Sequence, residues 1–371
     1  PRPISTVPFE EKGVYSRYTR PGFMISPPIA VIGCGRIVQL VHLNVLTALK
    51  AEVVALADPD AEHRQAVKRR ASVKARVVAD YEEVLAMPDV DAVVICAPPA
   101  VHAEIAIAAF AKKKHVYLEK PLATSLDEAA RVIRAWKDAG VVGMIGFNYR
   151  FNPLYAATRR HIAADRVGAL VAARTVFSTP ARELPEWKRA RASGGGVLLD
   201  LASHHLDLIR FLFQEEIRIV CAEVRSQRSE ADTAIVQLQL ANGLLVQSLF
   251  SFNTVDEDRF ELYGDKGRLT VDRYRSWDAD IVDTGTEFSL FGRAARALRP
   301  VLHARRLLRK WLASGYEPSY GAALGHFIDA VRNKRAATPD LVDGYRSLAI
   351  VQAIERSAQA RRPVMVPEGS G

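Results

Sequence analysis

The sequence predicts an α/β protein of two domains, a parallel sheet wrapped by helices and then an α+β domain with an open, mainly antiparallel sheet. Three observations carry this. From Ile29 to Gly146, short β-branched runs alternate with helical runs, the grammar of βαβ units. A tight turn, Gly33-Cys34-Gly35, joins the first strand to the first helix. From Phe147 the order changes to a helix followed by several strand-like runs, two of them joined by Asn242-Gly243, a strong hairpin signal. With 371 residues, 49% hydrophobic and 25% charged, the chain is long enough for two cores.

Residues 1–28 are rich in proline, lack periodicity and read as an irregular arm without the apolar stretch of a secretory leader. No run reaches membrane-spanning length, so a cytoplasmic location is the default expectation. Ile29 to Ile32 is the first strand and Arg36 to Leu49 the first helix. Gly33 permits the sharp turn and Gly35 lets the backbone approach a pyrophosphate, while the helix start at Arg36 and Ile37 offers N–H donors and a positive dipole end. Val38 replaces the usual third glycine or alanine of this fingerprint. The second strand, Glu52 to Ala57, ends at Asp58, roughly 20 residues beyond the glycines, where an acid takes the ribose hydroxyls. These features describe a Rossmann-type dinucleotide-binding domain over 29–146. A carboxylate at Asp58 repels a 2′-phosphate and favours NAD, while Arg64, Lys68, Arg69 and Arg70 on the next helix leave NADP open. Asp58 is also placed to cap that helix, Ala61 to Arg70.

After a third strand, Arg76 to Ala79, a further βαβ unit follows: strand Asp91 to Ala97, helix Ala100 to Lys113 and strand His115 to Leu118. Lys120, in Glu119-Lys120-Pro121, stands just past a strand's carboxyl end, the edge along which open parallel sheets bind ligands. Pro121 restricts Lys120 to an extended conformation. A solvated turn is the plain alternative for this stretch. Pro98 and His102 occupy the preceding loop, where a nicotinamide ring is expected; His102 serves equally well as a helix cap. A helix from Ser125 to Ala139 and a strand from Val141 to Ile145 complete about six strands.

The second domain, 147–371, is expected to place strands at Ala169–Phe177, Ile217–Val224, Thr233–Leu240, Leu244–Phe252 and Arg259–Tyr263, with a second turn at Gly264–Gly267 and helices at Tyr320–Asn333 and Leu341–Ala360. Its most informative stretch runs from Gly194-Gly195-Gly196 to Phe211. There Asp200, His204 and Asp207, spaced four and three apart, form one polar stripe on an apolar helix. Such a stripe faces water or a polar cavity. The chemistry favours the cavity, because histidine exchanges a proton near neutral pH and a carboxylate one turn away can fix its tautomer. His205 points about 100° away and reads as structural.

Cys34, Cys96 and Cys221 are odd in number and widely separated, which excludes a disulfide framework; they read as buried thiols, and no metal is expected. The formal net charge of +9 is local: residues 288–316 hold seven arginines and lysines and no acid, and removing those seven leaves +2 on the remainder. Without an RNP-type sequence or zinc-finger spacing, nucleic acid is not an expected partner. Within that segment, 290–312 alternates arginines with apolar residues around Pro300 and is read first as an inserted helix pair that docks its Leu/Trp311 face and solvates its arginines. Two sharper alternatives are a site for the diphosphate of a nucleotide sugar and an anionic membrane surface.

With the glycine turn, Asp58, Glu119-Lys120-Pro121 and the Gly194 to Asp207 stretch assembled, the chain resembles the Gfo/Idh/MocA family of nicotinamide-dependent oxidoreductases from about Ile29 to Val366. By position, the family's lysine matches Lys120, its helix aspartate Asp200 and its histidine His204. The resemblance implies reversible hydride transfer between a nicotinamide and a hydroxyl or keto carbon of a sugar, cyclitol or nucleotide sugar. His204 would act as general base for the hydroxyl proton, Asp200 would orient or polarise that hydroxyl, and Lys120 would hold its oxygen and stabilise developing negative charge. Glu119 and Lys120 would border the cofactor, and Arg150 and Asn152 the substrate. Val38 and the basic segment depart from the pattern. A carbohydrate-like small molecule is the implied partner, and the open C-terminal sheet offers a face for a homo-oligomer, dimer or tetramer. A hydrolase that uses NAD transiently on glycosides and a non-enzymatic NAD(H)-binding regulator are the alternatives.

Overall fold

The computed structural model describes residues 26–70, 75–276, 278–284 and 317–367. The expectations for the arm before residue 26 and for the basic segment 288–316 lie outside them. The first sheet is built on two runs, β1 (Ile29–Ile32) and β4 (Ala92–Ile95), whose IAVI and AVVI sequences are buried at every position. Runs this apolar are stable only with helices on both faces. Around them lie β2 (Val53–Ala57), β3 (Arg76–Val78), β5 (His115–Leu118) and β6 (Gly143–Ile145) in the order β3-β2-β1-β4-β5-β6, every pair parallel. The chain direction across the sheet reverses between β1 and β4, so the loops after β1, β4 and β5 converge on one edge. The helix Leu126–Ala139 illustrates the local signals: Ser125 and Glu128 form a capping box, and Gly140 ends it at φ 63°.

The second sheet has eight strands: β7 (Leu170–Ser178), β8 (Ile217–Arg225), β9 (Thr233–Leu240), β10 (Leu245–Ser251), β11 (Glu257–Gly264), β12 (Gly267–Asp272), β13 (Asp280–Asp283) and β14 (Val364–Met365). Their order is β13-β12-β11-β7-β10-β9-β8-β14, antiparallel except for the central pair β7 and β10. β9 alternates inward Ala234, Val236 and Leu238 with outward Ile235 and Gln237, so one face is core and the other is open. Ile235 is 51% and Leu245 58% exposed on that open face.

The chain's end returns to its beginning. Helix Ser319–Arg332 lays Ala323, Leu324 and Phe327 on the face of the first sheet formed by Ile29, Val31, Val94 and Tyr117. Helix Leu341–Ala360 packs between β8 and helix Leu126–Ala139, contributing Ile350, Val351 and Ile354 to a core shared by both sheets. No described helix is long and apolar enough to cross a membrane.

The turn after β1 is a tight joint. Gly33 has φ +89°, and a Cβ on it would stand 2.7 Å from the backbone of Cys96 and Ala97. Gly33→Ala is expected to cost about 2 kcal/mol or more through left-handed strain and overpacking, read as a lowered urea midpoint without cofactor. An unchanged midpoint would contradict this packing.

Candidate active site

At the β1 edge, the Asp58 carboxylate is 6% exposed and accepts the N–H of Cys34 at 2.6 Å and of Asp60 at 2.8 Å, with His63 Nδ1 at 3.2 Å. It therefore ties the glycine turn to the end of β2. Arg64 folds back to donate to the Asp58 and Pro59 carbonyls, both at 2.8 Å. Burial and the Asp58 carboxylate push the Cys34 thiol up to about 12, so it stays protonated. The helix after the turn opens with Arg36 and Ile37 and continues as the π-helical turn Val38–His42, its Gln39 N–H bonded to the Gly35 carbonyl. The amides ahead of that bond have no acceptor within the helix. A Cβ on Gly35 would meet nothing within 4 Å, so the backbone there borders open space. That cradle suits the pyrophosphate of a dinucleotide.

Along the same edge, Lys120 Nζ donates to the Asp200 carbonyl at 2.8 Å and to Asp200 Oδ1 at 2.9 Å. Asp200 lies in the π-helical turn Leu198–Ala202, the kind of widened turn that concentrates at functional sites. Its second oxygen accepts from Lys188 Nζ at 2.6 Å. Burial alone would raise the Asp200 pKa, but the two ammonium groups hold it far below the usual carboxylate range. Asp200 is thus a fixed anion that aims two lysines. The glycines before it make this approach available: a Cβ on Gly194 would stand 2.4 Å from Pro99 Cβ, and one on Gly195 2.4 Å from the Lys188 carbonyl oxygen.

His204, 8% exposed, stacks on Tyr149 with ring centroids 4.3 Å apart and planes 18° apart. The expected carboxylate partner is not there: Asp200 is held by the lysines and Asp207 by Arg150, and His204 Nδ1 is buried without a hydrogen-bond partner among the described residues. Burial, then Lys120, lower the pKa of His204 well below that of a free histidine, with Asp200 pulling the other way. The sequence stripe divides because the π turn offsets Asp200 from the α-helical register of Ser203–Phe213, and each acid meets a different cation.

Other expected site residues stand in different surroundings. Arg150 is committed to Asp207 at 2.8 Å and Asp343 at 3.1 Å, and Asn152 caps helix Pro153–Ala163 through Leu154 N–H while donating to Glu317. His102, 1% exposed, makes no cap; its ring nitrogens lie 2.7 Å from the Pro121 carbonyl oxygen and 2.8 Å from that of Ala97, bracing the loops after β4 and β5. Pro98 remains exposed at that loop. Glu119 turns inward, its Oε1 3.0 Å from His42 Nε2 but out of line for a hydrogen bond. His205 is structural, 3.0 Å from Asp258 and fully buried. Of the three thiols expected to be buried, Cys34 is buried and Cys96 and Cys221 are partly exposed.

Sequence reasoning missed Lys188, Tyr149 and Arg273. Arg273 lies 4.6 Å from the Tyr149 ring centroid and is fixed by Asp258 and Glu317. No local spacing announces any of them; the available signal for Lys188 is a lysine in the polar segment leading into three glycines.

The fold and site together define an oxidoreductase with an NAD-binding Rossmann domain. Residues 28–147 match the model described as oxidoreductase family, NAD-binding Rossmann fold, and 159–366 the model described as oxidoreductase family, C-terminal alpha/beta domain. The chain belongs to the Gfo/Idh/MocA oxidoreductase family. It is 28% identical to the myo-inositol 2-dehydrogenase of Thermotoga maritima, covering 92% of this chain and 99% of that one. To the scyllo-inositol 2-dehydrogenase (NAD(+)) of Bacillus subtilis it is 25% identical, covering 91% and 95%. In fold it is similar to the WlbA dehydrogenase from Bordetella pertussis, solved in complex with NADH and UDP-GlcNAcA, with TM-score 0.79, 22% identity and coverage of 94% and 100%.

Arg150 and Asp207 are nearly buried, so removing the cation leaves an uncompensated charge. Arg150→Met is expected to lose roughly 3–5 kcal/mol in denaturant unfolding. A variant that unfolds like the parent but loses substrate affinity would return Arg150 to substrate binding.

Proposed function

We propose that this enzyme prefers NAD(H) and transfers hydride reversibly at a hydroxyl or keto carbon of a cyclitol or sugar. The observation that carries this is the Lys120–Asp200–Lys188 cluster beside a neutral His204 on the cofactor edge of the parallel sheet. Asp58 at the ribose position supports NAD(H) over NADP(H), and the inositol dehydrogenases among the relatives support a polyhydroxylated ring as substrate.

When bound, the nicotinamide supplies the hydride acceptor or donor. The rest falls to the side chains. Lys120, held by two oxygens of Asp200, places an ammonium donor at the reacting oxygen and stabilises the negative charge that grows there. With His204 Nδ1 buried, Nε2 is the nitrogen left to face substrate, and it takes the hydroxyl proton in oxidation and returns it in reduction. Asp200, anionic throughout, holds the lysine geometry and does not exchange the proton.

The test titrates NADH and NADPH by fluorescence, then follows absorbance with cyclitols, free sugars and nucleotide sugars. Lys120→Ala and His204→Ala are each expected to lower turnover by about 10²–10⁴ while retaining NADH binding. Tight NADH binding with no absorbance change on any substrate, or full turnover in either variant, would overturn the reading. We also propose that the open face of the second sheet joins copies of the chain, because Ile235 and Leu245 leave apolar surface on the outside of a wide sheet. Leu245→Arg should lower the mass measured by light scattering; a parent already monomeric would sink the idea.

A further inference from the structure

A catalytic histidine usually leans on a carboxylate that fixes its tautomer and steadies its cation. Around His204 the nearby carboxylates among the described residues are engaged elsewhere. Asp200 faces Lys120 and Lys188, Asp207 faces Arg150, and Asp258 faces Tyr155, His205 and Arg273. The imidazole rests instead on the Tyr149 ring, and that ring is braced on Tyr155 at 6.0 Å and on the Arg273 guanidinium at 4.6 Å. Arg273 is itself immobilised by Asp258 at 2.7 Å and Glu317 at 2.9 Å.

We propose that Tyr149, braced by Arg273, is the positioning residue for His204, a stacked ring that holds the imidazole in one orientation where a carboxylate usually does so. The arrangement gives a protonated His204 little support. Its Nδ1 has no acceptor among the described residues, Lys120 approaches from the loop after β5, and the guanidinium that follows β12 already occupies the electron-rich Tyr149 ring that would otherwise attract an imidazolium. Asp200 on the same helix stretch and Asp258 on β11 act in the opposite sense, each largely neutralised by its own cations. The proton His204 accepts is therefore readily given up. As a base it stays available in acid, so oxidation should hold its rate as pH falls through the ordinary histidine range.

This inference rests on the proposed reaction for its kinetic arm, and a spectroscopic arm separates the two. In the parent, the His204 ring C–H resonance, identified by its loss in His204→Gln, should show no titration near 6.5. Tyr149→Leu, which removes the stack but leaves the burial and Lys120 in place, should move that resonance through loss of the ring current and lower kcat about tenfold with KM little changed. Tyr149→Phe, which keeps the ring, should restore the parent resonance and kcat. A parent His204 that titrates near 6.5, a leucine variant whose resonance and kcat stay at the parent's, or a phenylalanine variant that shifts as far as leucine would each overturn the proposal. If Tyr149→Leu does not fold, the parent titration and the phenylalanine variant decide it. Absence of turnover on every substrate would sink the reaction and leave the resonance to judge the stack.

Discussion

The Asp200 carboxylate is the point on which the active edge depends. It draws together three stretches: the loop after β5, 80 residues away, through Lys120, the nearby segment before the glycines through Lys188, and its own π-helical turn. A buried anion with two cations at hydrogen-bond distance is stable only when all three are present, since removing one leaves charge uncompensated in a low dielectric. The two sheets are thereby joined at the site itself, in addition to the apolar core they share.

A second buried acid does the same behind the site. Asp258 collects Tyr155, His205 and Arg273, and Arg273 continues to Glu317, which binds Asn152. The network supports the aromatic layer under His204 from below. Polar groups buried this deeply tolerate little displacement, because each unmade bond carries its full desolvation penalty. The rigidity of the Tyr149 platform is a consequence of that satisfaction.

Much of the fold was legible in residues whose signals are local. Strand Thr233–Leu240 and helix Leu341–Ala360 fall where alternation and helical period place them, and the glycine turn, Asp58 and Lys120 lie on one edge because strand order puts them there. What escaped was set by distance or brevity. β14 is two residues long, too short for a period to register. Arg150 reads as a substrate ligand until Asp343, 193 residues away, claims it, and Lys188 looks like loop polarity until Asp200 is seen facing it. Spacing placed Asp200 and His204 on one stripe, but a π turn, which no residue pattern here foretells, sends them to different partners.

The return of helix Ser319–Arg332 to the first sheet has a consequence for how this chain is made. As synthesis proceeds, the whole parallel sheet leaves the ribosome with one face lacking the Ala323, Leu324 and Phe327 that cover it. Seven of the eight strands of the second sheet emerge in between, before that gap can be closed. The nucleotide-binding half thus waits for residues 319–332 although its sheet is translated well before them, and a fragment ending near residue 146 is an unfinished domain with an apolar wall turned to solvent.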